Sequence, residues 1–359
     1  MLLKDMYNSE SLREFARKLR EVHLPFPVEE FLKLNMDETW DNLELKARGR
    51  QINLNMAKFL PQDYAEAIEV LRQVAPDFDG FFGIVLNDFV EVFGQNEKDW
   101  DLSMEAVEFF TQYSTAEFAV RPFIIRDEAR MMAQMRRWAK HENEHVRRLA
   151  SEGCRPALPW GVALAAFKRD PAPILPVLTQ LKADPSAYVR KSVANNLNDI
   201  SKTHPDLVAA IAEEWHGENP LTDRIIKHGC RTLLKRGNPR VLAIFGYDDA
   251  DSIEFDNFAL DSASVKIGGE LGFSFAICAK KAMKVRLEYG IDDVKSGGKR
   301  NRKIFQISEL ALKENEARNY RKRQSFRDLS TRRHYPGIHS ITIIVNGVER
   351  GKLDFELAK

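Results

Sequence analysis

From residue 9 to about 245, apolar side chains recur three and four positions apart, as in Leu12, Phe15, Ala16 and Leu19 or in Ala65, Ile68 and Leu71. That period is the one of helices with a single buried face. Prolines fall between the periodic segments, among them Pro61, Pro76, Pro156, Pro159, Pro185, Pro205, Pro220 and Pro239. Each ends one helix or opens the next, so the pattern predicts short antiparallel helices. After Gly246 the texture changes to SIEFDNFAL, SVKIGG, LGFSFAICAK, MKVRLEYGI, RKIFQIS, NYRKRQSF, HSITIIV and KLDFELA, separated by Gly, Asn, Asp and Ser. Short runs rich in Val, Ile, Phe and Tyr with turns such as Asn346-Gly347 predict strands and, at this spacing, an immunoglobulin-like β-sandwich.

The helical part contains a repeat. His145-Val146-Arg147-Arg148 through Ala150 recurs 43 residues on at Tyr188-Val189-Arg190-Lys191 through Ala194, and more weakly at Arg224-Ile225-Ile226 through Cys230. Each copy follows a polar turn able to cap a helix. Helix pairs of this kind cannot bury an apolar face alone, and they stack into a solenoid. The expected architecture is therefore mainly α, a HEAT-like helical-repeat solenoid over residues 1–247 followed by a small immunoglobulin-like β-sandwich over 248–359.

Length and composition fit two domains: 359 residues, 44% of them apolar, bury a sizeable core. The opening MLLKDMYNSE places Lys4 and Asp5 where a secretion signal would be apolar, and no stretch is apolar enough to span a bilayer, so a cytoplasmic protein with no membrane partner is expected. Cys154, Cys230 and Cys278 are odd in number and far apart, which suggests buried thiols and neither disulfides nor a zinc knuckle. Net charge is only +1, but it is unevenly spread. Residues 1–117 carry 12 Lys and Arg against 23 Asp and Glu, whereas 118–250 and 251–359 each carry 21 against 15. Such polarity suits a protein that turns a basic surface toward phosphates, and it is also compatible with ordinary solvated surface.

His141-Glu142-Asn143-Glu144-His145 satisfies the H-E-x-x-H zinc-hydrolase pattern. The repeat register puts Asn143 at a turn, however, so the two histidines would not share a helical face, and no third ligand follows; no metal is expected. On the helix beginning at Tyr188, Val189, Val193, Leu197 and Ile200 form the core stripe, with Tyr188, Asn195 and Asp199 together on a flank. Glu152 matches Asn195 one repeat earlier. These polar groups are either solvated and capping or members of a site. Glu117 lies in the apolar run Thr115–Val120, where it is either the partner of Arg121 four residues on or a carboxylate held at the edge of a site, its charge set against a developing positive centre. Trp160, after Pro156-Ala157-Leu158-Pro159, either packs a helix or stands on a rigid loop where its face can meet a sugar or a cation. Arg147, Arg148, Arg190 and Lys191, with Lys299, Arg300, Arg302, Arg332 and Arg333 in the β region, are candidates for phosphate contacts.

Several stretches, taken together, resemble the AlkC branch of the AlkC/AlkD alkylpurine DNA glycosylases: AEFAVRPFI, WAKHENEHVRRLASEGCRPALPWG, DPSAYVRKSVANNLNDISKTHP, HGCRTLLKRGNP and TRRHYPGIHSITIIVNG. The resemblance covers most of the chain from about residue 80 onward. It implies monofunctional hydrolysis of the N-glycosidic bond of 3-methyladenine and 3-methylcytosine in duplex DNA, without base flipping, lyase chemistry or a cofactor, by a protein expected to act as a monomer. It also implies that Glu117 and Asp199 are active-site carboxylates, that Trp160 contacts the lesion deoxyribose and that Glu152 is a further member. The alternative is a non-enzymatic helical-repeat scaffold that binds protein or nucleic acid.

Overall fold

The computed structural model describes residues 2–329 and 332–359. Helices run from Ser9–Val22 to Pro239–Ile244, and strands follow from Ile253 onward. The chain divides into two compact units: Met1–Thr203 with Asn219–Gly229, and His204–Glu218 with Cys230–Lys359. The change from helix to strand therefore falls where the sequence pattern changes, while the last helices, Pro205–Trp215, Arg231–Lys235 and Pro239–Ile244, group with the strands.

In the first unit the helices Glu144–Glu152, Ala187–Ile200 and Pro220–Gly229 pack in succession. Each begins at the polar turn that the repeat marks. Asn143 Oδ1 accepts from the His145 amide at 2.8 Å, Ser186 Oγ from the Tyr188 amide at 3.2 Å and Asn219 Oδ1 from the Leu221 amide at 2.8 Å. These bonds satisfy amides that a helix start leaves unpaired. Val189, Val193, Leu197 and Ile200 are buried, as their spacing predicts. Adjacent helices are also joined through polar groups: Ser151 Oγ lies 2.6 Å from Ser192 Oγ, and Asn196 Nδ2 donates to the Ser151 carbonyl at 2.8 Å.

The repeat has a second device. Arg147 Nη1 donates to the carbonyls of His141 and Glu142, and Arg190 Nη1, 43 residues later, to those of Asp184 and Pro185. In both copies the arginine reaches back five and six residues to tie the turn ahead of its own helix.

In the second unit the strands are β1 (Ile253–Leu260), β2 (Ser264–Lys266), β3 (Glu270–Ala279), β4 (Met283–Val294), β5 (Arg300–Leu312), β6 (Ala317–Ser325), β7 (Gly337–Val345) and β8 (Val348–Ala358). They form a sheet of order β1-β3-β6 and another of order β2-β8-β7-β4-β5. Phe273, Phe275, Leu287, Ile291, Ile341, Ile343 and Phe355 fill the core. Asn346 and Gly347 both have positive φ, 48° and 78°, and turn β7 into β8 as the Asn-Gly pair predicts. Among the described residues no helix is long and apolar enough to cross a membrane.

Candidate active site

Glu117 stands in a turn, and the helix after it starts only at Val120. The four-residue spacing to Arg121 therefore does not act as it would inside a helix, and of the two readings of Glu117 the Arg121 pair gives way to a partner distant in sequence. Arg148 Nη1 lies 2.6 Å from Glu117 Oε2, and Thr115 Oγ1 donates to the same oxygen at 2.7 Å. Arg148 Nη2 lies 3.6 Å from Glu152 Oε1, one turn along its helix. Arg155 then joins Glu152 to Asp199, with Nη1 2.6 Å from Glu152 Oε1 and Nε 2.8 Å from Asp199 Oδ2. Lys202 Nζ closes the series 2.8 Å from Asp199 Oδ1.

Three carboxylates from separate segments thus alternate with two arginines and a lysine in one continuous array. Asp199 and Glu152 are buried, so neither is the solvated or capping group that their flank position also allows. Burial works against the charges of Arg148 and Arg155, but the facing carboxylates outweigh it and carry both pKa values above the usual arginine range. Lys202 is the array's exposed end, its side chain 45% accessible. Tyr188 lies over the Arg148 guanidinium, 4.8 Å from ring centroid to the central carbon, and flanks the Glu117 end of the array.

Trp160 is 64% exposed and has φ +62°, a left-handed conformation unusual for a bulky residue. It stands on the loop after Glu144–Glu152 and is not a helix-packing residue, unlike the buried Trp100 and Trp138. Its carbonyl accepts from Lys46 Nζ at 3.3 Å, and that ammonium sits 4.6 Å from the centre of the Phe118 ring. Lys46, Asp88, Phe118 and Trp160 line one small cavity, which begins beside Glu117 in sequence. On the other side of Glu117, Thr115 lines a more open groove with Phe81, Tyr113, His145 and Tyr188.

The candidate phosphate ligands separate into two groups. Arg147, besides tying its turn, pairs with Asp184 at 2.6 Å; Arg148 is in the array; Arg302 pairs with Asp292 at 2.7 Å; and Arg332 pairs with Asp293 at 3.1 Å. Arg190 holds carbonyls, and Arg300 donates to Ser340 Oγ and the Ile338 carbonyl. Lys191, Lys299 and Arg333 are exposed. Lys191 and Arg190 line a surface groove with Arg224 and His228.

The HENEH string spans a helix boundary, with Asn143 as the capping residue. His141 Nδ1 accepts from the Asn143 amide while His145 packs edge-on against Tyr188, so the two rings serve different local contacts. Nothing in the sequence marks Arg155, Arg121 and Lys46 as site residues: Arg121 and Lys46 lie on helices, where a basic side chain looks alike whether it pairs inward or points outward, and Arg155 lies in the loop after Glu144–Glu152.

The model of the DNA alkylation repair enzyme family matches residues 44–233, and that of the C-terminal Ig-like domain of the uncharacterised protein YhaZ matches 254–359. The uncharacterised protein YhaZ of Bacillus subtilis (strain 168) is 48% identical over 355 residues, 99% of each chain. The solved structure of Pseudomonas fluorescens alkylpurine DNA glycosylase AlkC, bound to DNA containing an abasic site analog, superposes over 100% of both chains with a TM-score of 0.95 and 36% identity.

Proposed function

The chain belongs to the DNA alkylation repair enzyme family, and from that premise we propose that it is a monofunctional DNA glycosylase acting on cationic N3-alkylated bases, 3-methyladenine and 3-methylcytosine, in duplex DNA. The observation that carries the reading is the convergence of Glu117, Glu152 and Asp199 in one arginine-bridged array. The DNA held by the Pseudomonas enzyme supports a DNA partner for this chain.

A base methylated at N3 carries positive charge and departs as a neutral molecule, so the leaving group needs little acid assistance. What remains is an electron-poor, oxocarbenium-like sugar and the placing of a water. Fixed carboxylates oppose the first and orient the second, because they need no reorganisation as charge develops. In the free protein their charge is balanced by Arg148, Arg155 and Lys202, which lowers their repulsion of DNA phosphates. Asp199 and Glu117 are the proposed principal carboxylates, Glu152 supports them, and the exposed face of Trp160 meets the lesion deoxyribose by packing and cation–π attraction. No step uses a lysine nucleophile, so no Schiff base and no strand cleavage are proposed, nor any cofactor. The lesion is met in the stack, the helical unit acting as a HEAT-like cradle and residues 248–359 as a further DNA-contacting domain of a monomer.

Incubation with methylated duplex DNA tests the reading. Free 3-methyladenine and heat-labile abasic sites are the expected products. DNA bound without base release would identify a scaffold instead, and borohydride-trapped enzyme–DNA adducts would overturn the monofunctional mechanism.

A further inference from the structure

Arg121 is 1% exposed, and among the described residues it bonds to no carboxylate. Its Nε donates to the Val162 carbonyl, and its Nη1 donates at 3.0 Å to the carbonyls of both Gly153 and Arg155. Nη2 is buried with no hydrogen-bond partner among the described residues. Burial, with the nearby Arg155 charge, lowers the guanidinium pKa to about 10, a loss that Cys154, Glu117 and Asp199 offset only in part. A cation held in this way is expensive, and a structural tie of the same shape needs no charge.

Its three bonds share one property. Gly153 directly follows Glu152; Arg155 is the side chain that links Glu152 to Asp199; Val162 lies two residues past Trp160; and Arg121 itself leaves the segment that bears Glu117. The loop between these carbonyls carries Trp160 in its strained left-handed conformation. Gly161 lets the loop close on the arginine, since a Cβ there would stand 3.3 Å from Arg121 Cδ and Nε and 3.0 Å from Leu158.

We propose that Arg121 is a positioning residue for the glycosylase site, the buried tie that fixes Trp160 relative to Glu117 and Glu152. The inference rests on the proposed function and names the residue that assembles its parts. A strained aromatic on an exposed loop keeps one orientation only if the surroundings over-determine it, and small displacements at a reacting centre are costly.

Arg121→Lys keeps the charge and cannot reach all three carbonyls; Gly161→Ala presses the loop off the arginine from the opposite side and keeps Arg121. Each is compared with the parent in the full chain by single-turnover base release, by affinity for undamaged duplex, and by amide hydrogen exchange over residues 153–163. The expected result is a rate at least tenfold lower with affinity within threefold, together with faster exchange confined to that segment. In a Trp160→Ala background the Arg121→Lys change should cost less than threefold further, because the group it orients is gone. A parent-like rate despite faster exchange would reduce Arg121 to a structural tie, and unaltered exchange or full multiplication of the two effects would overturn the proposal. Should Arg121→Lys not fold, Gly161→Ala carries the same comparison. A parent chain inactive on methylated DNA would sink the glycosylase reading, and exchange would still decide whether Arg121 holds the loop.

Discussion

Arg155 Nε lies 2.8 Å from Asp199 Oδ2, and both side chains are withdrawn from water. Because the same guanidinium also holds Glu152, removing it leaves two buried carboxylates close together without their shared counter-charge. Breaking a buried pair from one side costs about 3–5 kcal/mol. Arg155→Met is therefore expected to lower the unfolding free energy by that order, and Asp199→Asn by less, since an amide still accepts from the arginine. Urea unfolding of the two variants checks the ranking; equal losses would mean that the array holds by shape and not by charge.

For the reaction the order reverses. Asp199→Asn and Glu117→Gln remove the negative charge that the proposed mechanism sets against the sugar but keep size and hydrogen-bonding shape, so release of 3-methyladenine is expected to slow by about 10²–10³. Circular dichroism and duplex affinity should stay close to the parent's. Undiminished release by both variants would remove these carboxylates from the chemistry.

How much of this was legible in the chain depends on the range of the interaction. The caps at Asn143 and Ser186 and the Asn346-Gly347 turn act within a few residues, so a local pattern specifies them. The core stripe of Ala187–Ile200 follows from helical period alone. Arg148 meets Glu117 across 31 residues and Arg155 meets Asp199 across 44, and nothing in local spacing marks those pairings. The 43-residue repeat predicts that Arg147 and Arg190 do the same work, yet not that the work is tying a turn. Glu117–Arg121 shows the converse: the spacing was right for a helix, and the backbone there is a turn.

Gly347 is specified by space as well as by backbone. With φ +78° it disfavours any side chain, and a Cβ there would stand 2.5 Å from Leu242 Cδ1 and 3.0 Å from the Gly237 Cα. Gly347→Ala combines left-handed strain with a clash against backbone, and a loss of about 1–3 kcal/mol is expected. Asn346→Gly keeps the turn but loses the side-chain bonds to the Arg286 amide and the Asp249 and Lys284 carbonyls, each worth about 0.5–1.5 kcal/mol, so a loss at least as large is expected. Thermal melts of both variants should fall below the parent's, and a parent-like melt for Asn346→Gly would show that its side-chain bonds add nothing to the turn.

His334 gives the β unit an acid sensitivity. Burial pushes its pKa below the ordinary 6.5, helped by Arg332, and its Nε2 is buried without a hydrogen-bond partner among the described residues. A lowered folded pKa means that the unfolded chain binds the proton more readily. Its stabilising share is therefore full above pH 6.5 and shrinks as pH falls from there to the folded pKa. His334→Phe, which keeps the edge contact with Phe326, should flatten the loss of stability between pH 7 and 5. An unchanged slope in denaturant titrations at those pH values would assign the sensitivity to other groups.

The basic residues separate by what already holds them. Arg147 and Arg302 are bound to Asp184 and Asp292 within the fold, so a phosphate would have to displace a carboxylate to reach them. Lys191, Lys299 and Arg333 are exposed. Contacts of the latter kind release counterions on binding, and each removed contact lowers the slope of log affinity against log salt by about one. Lys191→Ala, Lys299→Ala and Arg333→Ala are each expected to weaken binding to methylated and undamaged duplex alike, with a shallower salt slope and an unchanged melting temperature. Arg147→Ala should do the opposite, since it breaks a largely buried ion pair and loosens the turn before Glu144–Glu152: its melting temperature falls and its salt slope holds. A shallower slope for Arg147→Ala with no thermal penalty would show that this arginine leaves Asp184 for the DNA.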